Sequence, residues 1–522
     1  MEYDVVVVGA GPVGLLLACE LRLGGVEVLV LEREDRVPAT RFGPMGARSV
    51  NSPTVHALHL RGLLPAVAAA ALTWIDPADL DHLTTAHPAA ADGHEDAADA
   101  PSPPFVGHFA GIPVRADRLR PPEPGTQFLG AGVVAQGDLE TILAARAAEL
   151  GVEVRRGHEV TGVAVTAGGA EVTTGKGVTR ARWLVGTDGG RSLVRRAAGF
   201  DFPGVDPVFT GRQALVDLAE PDVLVAGGWQ TGHNGAYAVG GFGTGAEPTR
   251  VHVVEHTPPA PRDSPVTTAE LQDVLRRVSG TTVTIEKVHV ATRYADTTRQ
   301  ASTYRCGRVL LCGDAAHVHS PAGGQGMNLG LGDAMNLGWK LAAVARGDAP
   351  AALLDSYTAE RHPVGVRALR WSLAQTALST ASGPRADALR DVVADLLDTP
   401  DGATYVVSTI GGDRQCYDAG AGDPRVGSRV SDVPLGGDGT TIAAAFHAGR
   451  AVLVDPADAC AGAAAPWKDR LTLLPGPDAA TGAGAEAPPA VLVRPDGYLA
   501  WVGADTCGLP EALTRWLGPR HP

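Results

Sequence analysis

The first residues that could do chemistry form a glycine-rich turn between a strand and a helix. Gly9, Gly11 and Gly14 have the spacing Gly-x-Gly-x-x-Gly, and Glu32 follows at the end of the next strand-like run. Gly9 permits a tight turn, Gly11 lets a diphosphate approach the backbone, and Gly14 lets helix and strand pack closely. A carboxylate at Glu32 can accept both ribose hydroxyls of an adenosine. The pattern predicts an adenine dinucleotide site, and the acidic residue favours FAD or NAD over a 2′-phosphorylated nucleotide.

A second motif lies in 184–196, where a strand-like run leads into Asp188-Gly189 and then into a helix start. Taken alone, this stretch is an ordinary helix N-terminus that Asp188 or Ser192 would cap. A role beside a cofactor is indicated only by its combination with the other motifs.

A third motif joins a buried strand that ends at Gly313 to a long helix. Asp314 stands at the carboxyl end of that strand, where its carboxylate can accept a ribityl hydroxyl. Gly323, Gly324 and Gly326 form a shelf without side chains, against which a planar ring can lie. The N-terminus of the next helix would stabilise negative charge on the pyrimidine edge of a reduced flavin ring.

A strand–helix–strand unit must position the first motif. Residues 4–8 and 26–31 are β-branched runs, and 15–23 between them is compatible with a helix. This order predicts a parallel sheet.

Three later regions differ from this pattern. Residues from about 202 to 290 alternate apolar and polar positions with few helix signals, which indicates a β-rich insertion. Residues 399–522 contain short strands and a closing helix, and we expect them to form a separate unit. The polar, low-complexity stretch 87–104 predicts an exposed loop.

Composition excludes several classes of function. The chain of 522 residues is long enough for about three domains of ~150 residues. Its 44 Lys and Arg against 58 Asp and Glu give a formal charge of −14, which argues against nucleic acid or an anionic membrane as partner. We find no apolar run of about 18 residues and no signal peptide, and we expect a cytoplasmic protein.

The cysteines and histidines do not indicate a metal or redox centre. The six cysteines include no Cys-x-x-Cys pair. His317 and His319 lack an acidic or cysteine partner at metal-ligand spacing, so we predict no metal site.

The three motifs in this order resemble those of the class A flavoprotein monooxygenases. The chain is most similar to the aromatic polyketide hydroxylase branch, whose relatives include phenol hydroxylases and rifampicin monooxygenases. Gln136 ahead of a helix, and Arg361-His362-Pro363 after Asp355-Ser356-Tyr357, are further matches. The resemblance covers residues 2–380 strongly and the tail in outline.

The resemblance implies an α/β fold: a Rossmann-like FAD-binding domain, an inserted β-rich substrate domain and a C-terminal thioredoxin-like domain without Cys-x-x-Cys. With the composition shifts, it predicts an FAD-binding domain over 1–76, 105–201 and 286–397, a substrate domain over 77–104 and 202–285, and a C-terminal domain over 398–522.

The resemblance also implies which residues hold the cofactor. Those predicted to bind FAD are Gly9, Gly11, Pro12, Gly14, Glu32, Arg33, Arg41, Arg48, Gln136, Asp188, Gly313, Asp314, Pro321, Gly324, Gln325, Gly326, Met327 and Asn328. Either Arg41 or Arg48 is expected to face the flavin, and the sequence leaves open which of the two does so.

The implied reaction transfers one oxygen atom of O2 to a polycyclic aromatic polyketide through a C4a-hydroperoxyflavin, with NADPH or NADH reducing FAD. We expect hydroxylation of a phenolic ring in antibiotic biosynthesis, by a monomer or homodimer. Two alternatives use the same cofactor: Baeyer–Villiger oxidation of a polyketide ring, and oxidative inactivation of a drug such as a rifamycin or tetracycline. A halogenase is disfavoured, because no Trp-x-Trp-x-Ile-Pro-like segment is present.

The substrate is expected between the glycine shelf and the β-rich insertion. Candidate contacts are the polar and aromatic residues Arg212, Trp229, Tyr237, Phe242 and Tyr294. The sequence identifies no general base.

Overall fold

The computed structural model describes residues 2–76, 105–121, 127–226, 229–232, 234–240, 248–257, 264–321, 323–417, 422–435, 441–476 and 488–520. The predicted loop 87–104 and the candidate Phe242 lie outside these residues.

Strands occur along most of the described chain. They are β1 Glu2–Val8, β2 Val28–Leu31, β3 Ala47–Val50, β4 Ala71–Ile75, β5 Phe105–Phe109, β6 Ile112–Arg115, β7 Ala131–Ala135, β8 Glu153–Arg155, β9 Val160–Thr166, β10 Gly169–Thr174, β11 Gly177–Gly186, β12 Gly204–Val205, β13 Thr210–Leu218, β14 Gln230–Gly232, β15 Gly235–Val239, β16 Thr249–Glu255, β17 Ile285–Ala295, β18 Thr298–Gln300, β19 Arg305–Cys306, β20 Val309–Leu311, β21 His317–Val318, β22 Ala451–Asp455, β23 Leu471–Pro475, β24 Ala490–Val493 and β25 Leu499–Gly503.

The α-helices lie between and around these strands. They are α1 Pro12–Leu23, α2 Gly43–Gly46, α3 Ser52–His59, α4 Leu64–Ala69, α5 Gln136–Glu149, α6 Leu193–Ala197, α7 Thr268–Ser279, α8 Gly326–Arg346, α9 Asp355–Thr380, α10 Pro384–Leu397, α11 Pro400–Gly411, α12 Ile442–Ala445, α13 Ala461–Ala464 and α14 Leu509–Leu517. Within the described ranges, no helix is both long and apolar enough to cross a membrane.

The central sheet carries the predicted parallel topology. Its parallel strands lie in the order β8-β2-β1-β11-β20, and β19 and the β9–β10 hairpin extend it in antiparallel pairing. The inner strands are almost continuous apolar runs because helices cover both faces of such a sheet. Helices α1 and α8 pack against each other in the same core. This part of the chain confirms the Rossmann-like prediction.

A second, antiparallel sheet forms the β-rich insertion, with strand order β14-β15-β16-β13-β17. Helix α7 covers one face, where Val251 and Val253 pack with Leu271 and Val274. The sheet includes all of β17, which pairs with β13 from Ile285 to Ala295. The insertion therefore continues past residue 285, where the sequence placed its end.

The C-terminal region contains a mixed sheet in which β22 pairs in parallel with β23 and antiparallel with β24, followed by β25. The arrangement agrees with the thioredoxin-like fold implied by the resemblance. One face of this sheet is continuous with the main core through Leu453, Trp501 and Leu513.

The predicted start of the C-terminal region at 398 does not coincide with a change in packing. Helix α11 follows that position and packs with α10 and with the β5–β6 hairpin rather than with the C-terminal sheet.

Candidate active site

The first glycine turn has the geometry that its sequence predicts. Gly9 has a φ of +109°, and a Cβ there would lie 2.5 Å from the Thr187 carbonyl oxygen. A Cβ at Gly14 would lie 2.0 Å from the Gly9 carbonyl oxygen, so helix and turn can touch only without a side chain. A Cβ at Gly11 would meet nothing within 4 Å. The free space over Gly11, with the uncapped N-terminus of α1 beside it, fits a diphosphate.

Glu32 is held in place at the carboxyl end of β2. Its Oε2 accepts from the Ala10 N–H at 2.7 Å, and its Oε1 accepts from the Glu34 N–H at 2.9 Å. These bonds orient the carboxylate towards the same cavity that Gly11 borders. Arg33 also borders this cavity, but its side chain is 66% exposed and pairs with Glu34 at the surface.

Asp188 caps a helix, as the simpler interpretation of its motif predicted. Its Oδ2 accepts from the N–H groups of Leu193 at 2.7 Å and Val194 at 3.1 Å, and Ser192 caps Arg195. Its other oxygen, Oδ1, is buried and has no hydrogen-bond partner among the described residues. The residue lines the cavity, so a structural cap and a cofactor contact are compatible here.

The third motif presents Asp314 and a bare helix N-terminus to the cavity. Asp314 is exposed at the carboxyl end of β20. Gly323 and Gly324 take φ values of +83° and +64°, which favour glycine, and α8 begins at Gly326 without a side-chain cap. The N–H groups of this first turn are available to an anionic ring edge.

Asn328 ties this glycine segment to strand β3. Its Nδ2 donates to the carbonyls of Ser49 at 2.9 Å and Gly324 at 3.1 Å, and its Oδ1 accepts from the Asn51 N–H at 3.0 Å. The side-chain amide thus positions the shelf, while the residue also borders the cavity.

A buried ion cluster beneath the shelf was missed by sequence reasoning. Asp333 accepts from Gly313 N–H at 3.1 Å, from His317 Nε2 at 2.7 Å and from Arg361 Nε at 2.7 Å. The neighbouring Arg361 and His317 hold the pKa of the Asp333 carboxyl below its usual value, against the opposing effect of burial. The available signal was the single acidic residue of a long, largely apolar helix. Arg361, which belongs to one of the further sequence matches, is thus a buried partner of Asp333.

The structure distinguishes the two arginines that the sequence left open. Arg41 Nη1 pairs with Glu140 at 2.8 Å, and Gln136 donates to the same carboxylate at 2.9 Å. Arg48 lies on β3 and donates to the Ala47 carbonyl at 2.8 Å. No carboxylate of the described chain lies within ion-pair distance of Arg48, so its charge remains directed at the cavity.

Most predicted cofactor residues border one cavity of about 3060 Å³. Those lining it are Gly9, Gly11, Pro12, Glu32, Arg33, Arg41, Arg48, Gln136, Asp188, Asp314, Pro321, Gly324, Gly326, Met327 and Asn328. Gly14, Gly313 and Gln325 do not line it. They shape the backbone instead: a Cβ at Gly313 would lie 3.2 Å from Val13, and Gln325 is the N-cap of α8.

The antiparallel sheet forms the opposite wall of this cavity. Two of the candidate substrate contacts, Trp229 and Tyr294, line it. A Cβ at Gly211 would lie 2.1 Å from the Tyr294 ring, so this glycine leaves the space in which the ring lies. Tyr294 contacts His252 edge-on, with ring centroids 5.2 Å apart, and Trp229 lies 4.8 Å from the same imidazole.

Two predicted substrate contacts lie on the wrong face of this sheet. Arg212 pairs with Glu270 at 2.7 Å, and Tyr237 packs in the core beneath α7. Successive residues of a strand point to opposite faces, and these two point away from the cavity. The polar side chains of this sheet that do line the cavity include Gln213, Arg250 and His252. The alternation Arg250-Val251-His252-Val253 was the signal that could have identified the last two.

Comparison with known proteins assigns this fold and site to a class. A family described as an FAD binding domain matches residues 2–372, and one described as an aromatic-ring hydroxylase C-terminal domain matches residues 423–520. The second match begins after α11, in agreement with the packing of that helix.

Individual relatives match over nearly the whole chain. An anhydrotetracycline monooxygenase from Streptomyces rimosus is 38% identical over 99% of both chains. A rifampicin monooxygenase from Streptomyces venezuelae is 34% identical, also over 99% of both. The crystal structure of an aromatic hydroxylase from angucycline biosynthesis superimposes with a TM-score of 0.81 at 35% identity, covering 100% of each chain.

The fold and the site therefore define a flavoprotein monooxygenase with FAD as its cofactor. The chain belongs to the FAD binding domain family and carries the aromatic-ring hydroxylase C-terminal domain. The resemblance and the fold class inferred from the sequence are confirmed.

Proposed function

We propose that the protein uses NADPH and O2 to hydroxylate a phenolic ring of a polycyclic aromatic polyketide. The observation that carries the proposal is one cavity bordered on one side by the residues predicted to bind FAD and on the other by an aromatic wall. The relatives named for anhydrotetracycline and for angucycline biosynthesis support a polycyclic substrate.

The residues of the FAD side would divide the cofactor between them. The N-terminus of α1 at Gly11 would bind the diphosphate, and Glu32 would accept the adenosine ribose hydroxyls. Asp314 would accept a ribityl hydroxyl. The first turn of α8 and the charge of Arg48 would stabilise negative charge on the ring. Bound FAD, once reduced, supplies the activated oxygen for the reaction.

The residues of the opposite wall would orient the substrate. Trp229, His252 and Tyr294 offer ring faces and edges to a planar molecule. Holding the acceptor carbon near the reacting edge of the flavin would convert oxygen transfer into an effectively intramolecular step.

The test is product analysis with oxygen-18 gas, NADPH and a panel of angucyclinone, anthracyclinone, anhydrotetracycline and rifamycin substrates. Incorporation of one labelled oxygen into a phenolic ring supports the proposal. A lactone product indicates Baeyer–Villiger oxidation instead, and selective turnover of finished rifamycin or tetracycline drugs indicates inactivation. NADPH consumption that yields only hydrogen peroxide with every substrate contradicts the proposal. Parallel assays with NADH identify the electron donor.

A further inference from the structure

Two arginines face the cavity without an acidic partner. Arg48 comes from β3 on the FAD side, and Arg250 comes from β16 on the opposite wall. Within the described part of the chain, no carboxylate lies within ion-pair distance of either guanidinium. Burial of Arg250, together with repulsion from Arg48, lowers the pKa of Arg250. Leaving half-buried cations unpaired is unfavourable unless a bound anion offsets the cost.

Arg250 is held in a fixed orientation by Gln213. With the Gln213 amide oxygen turned towards it, that oxygen accepts from Arg250 Nη2 at 2.8 Å and from Nε at 2.9 Å. Gln213 comes from the neighbouring strand β13, on the same face of the sheet. No described protein group bonds Nη1, so this nitrogen is left for a ligand. A positioned guanidinium loses less entropy when it binds an oxyanion.

The aromatic groups beside this pair, Tyr294 and His252, do not supply a negative charge. The Tyr294 hydroxyl hydrogen-bonds His252 Nε2, and burial raises the pKa of Tyr294 so that it stays protonated. Burial and the two arginines lower the pKa of His252 to about 3, so the imidazole is neutral. Asp314 is the carboxylate that acts electrostatically on Arg48. Its proposed role is to bind ribitol.

We propose that Arg250 and Arg48 form an oxyanion site that selects planar polycyclic substrates carrying an ionised phenol or enol. Arg250 is the specificity-determining residue, because Arg48 also serves the flavin side. The inference rests on the proposed function and defines its substrate class. The aromatic wall of Trp229, His252 and Tyr294 receives the ring system, and the Arg250 Nη1–H receives the oxyanion. An ionised hydroxyl also makes the adjacent ring carbons more electron-rich, as oxygen transfer to an arene requires.

The test measures binding of alizarin (1,2-dihydroxyanthraquinone) to the oxidised FAD-loaded enzyme without NADPH. Alizarin changes colour on ionisation, so titration across pH gives the affinity of each form and the pKa of the bound hydroxyl. For the wild type we expect saturable binding and a bound hydroxyl pKa lower than that of free alizarin. Charge-assisted hydrogen bonds of this kind predict affinity for the monoanion about tenfold or more above that of Arg250→Met.

Two further variants separate a specific contact from general electrostatics. Arg250→Lys should recover part of the affinity, because it restores the charge without the fixed guanidinium fork. Arg180→Met removes one positive charge at a remote exposed site on β11 and should bind alizarin like the wild type. If Arg250→Met does not retain FAD, Gln213→Leu replaces it, and we expect it to weaken monoanion binding through loss of the bonds that orient Arg250.

Three results would overturn the proposal: no saturable alizarin binding to the wild type, preferential binding of neutral alizarin, or equal monoanion affinity in wild type and Arg250→Met. None of them depends on turnover. Arg250-dependent binding without any oxygenated product would leave the oxyanion site standing and reject the proposed reaction instead.

Discussion

Two clusters of charged side chains lie near the glycine-rich segment 313–328, and they differ in one respect. In the first, Asp333 joins His317 and Arg361, so each charge meets a partner. In the second, Arg48 and Arg250 face a cavity with no ion-paired carboxylate among the described residues. The first cluster stabilises backbone, since Asp333 also accepts from the Gly313 N–H. In the second, the guanidinium groups bond only to neutral groups of the described protein: the Gln213 amide and backbone carbonyls. From this comparison we infer that half-buried charge without an acidic partner marks the proposed ligand site.

The largest loss of stability is expected when the first cluster loses its carboxylate. In Asp333→Asn, Arg361 and His317 lose their carboxylate and remain buried, which costs about 3–5 kcal/mol of unfolding free energy. Denaturant unfolding of the wild type and variant measures the difference. The control, Asp423→Asn, removes a surface pair with Arg425 and should leave the unfolding midpoint unchanged. Equal stability of wild type and Asp333→Asn would show that the first cluster is not structural.

Asp314 belongs to the cavity, so its loss should affect the cofactor rather than the fold. A hydrogen bond from a ribityl hydroxyl to a carboxylate contributes about 1.5–3 kcal/mol, and Asp314→Ala should weaken FAD binding about 10- to 100-fold. Reconstitution of the apoprotein with FAD, followed by flavin fluorescence, gives this ratio. Asp222→Ala, at an exposed position, is the control. Unchanged FAD affinity in Asp314→Ala would remove Asp314 from the cofactor site.

His252, which lies beside the two arginines of the second cluster, gives the folded protein a dependence of stability on pH. Folding lowers the pKa of His252 to about 3, so between about pH 6.5 and pH 3 the unfolded chain binds one more proton at this residue. The contribution of His252 to the unfolding free energy is therefore fully present above pH 6.5. As the pH falls from 6.5 towards 3, this contribution decreases by about 1.4 kcal/mol per pH unit. His252→Gln should reduce the slope of unfolding free energy between pH 6 and pH 4 by about that amount. The control His289→Gln removes a histidine that pairs with Asp217 near the surface. An identical slope in wild type and His252→Gln would mean that folding does not lower the pKa of His252.

The sequence predicted one wall of the cavity much better than the other. The glycine turns and Glu32 follow from local rules, because a diphosphate and a tight turn restrict the residues that can stand there. Pairing across the insertion is non-local. Arg212 and Tyr237 were chosen by residue type, and only strand alternation could have placed them behind the sheet. Arg250 and His252 needed the same alternation together with knowledge of which face α7 covers.

The Asp333 cluster could not be predicted as a group for a related reason. Asp333, His317 and Arg361 lie on three separate elements, and their meeting depends on how α8, α9 and the segment after β20 pack. The family pattern marked Arg361 without showing its partner.

The smallest change in unfolding free energy is expected when one arginine of the second cluster is removed. This substitution is also the sharpest test of the difference between the two clusters. Arg250→Met relieves repulsion with Arg48 and removes a half-buried cation, so unfolding free energy should stay constant or rise by up to about 1 kcal/mol. The same substitution at Arg61 should be destabilising by about 3–5 kcal/mol, because Arg61 is buried and pairs twice with Glu20 at 2.6 Å. Denaturant unfolding of the three proteins under one condition measures both effects. If Arg250→Met loses as much stability as Arg61→Met, Arg250 supports the fold, and absence of an acidic partner does not identify a ligand site.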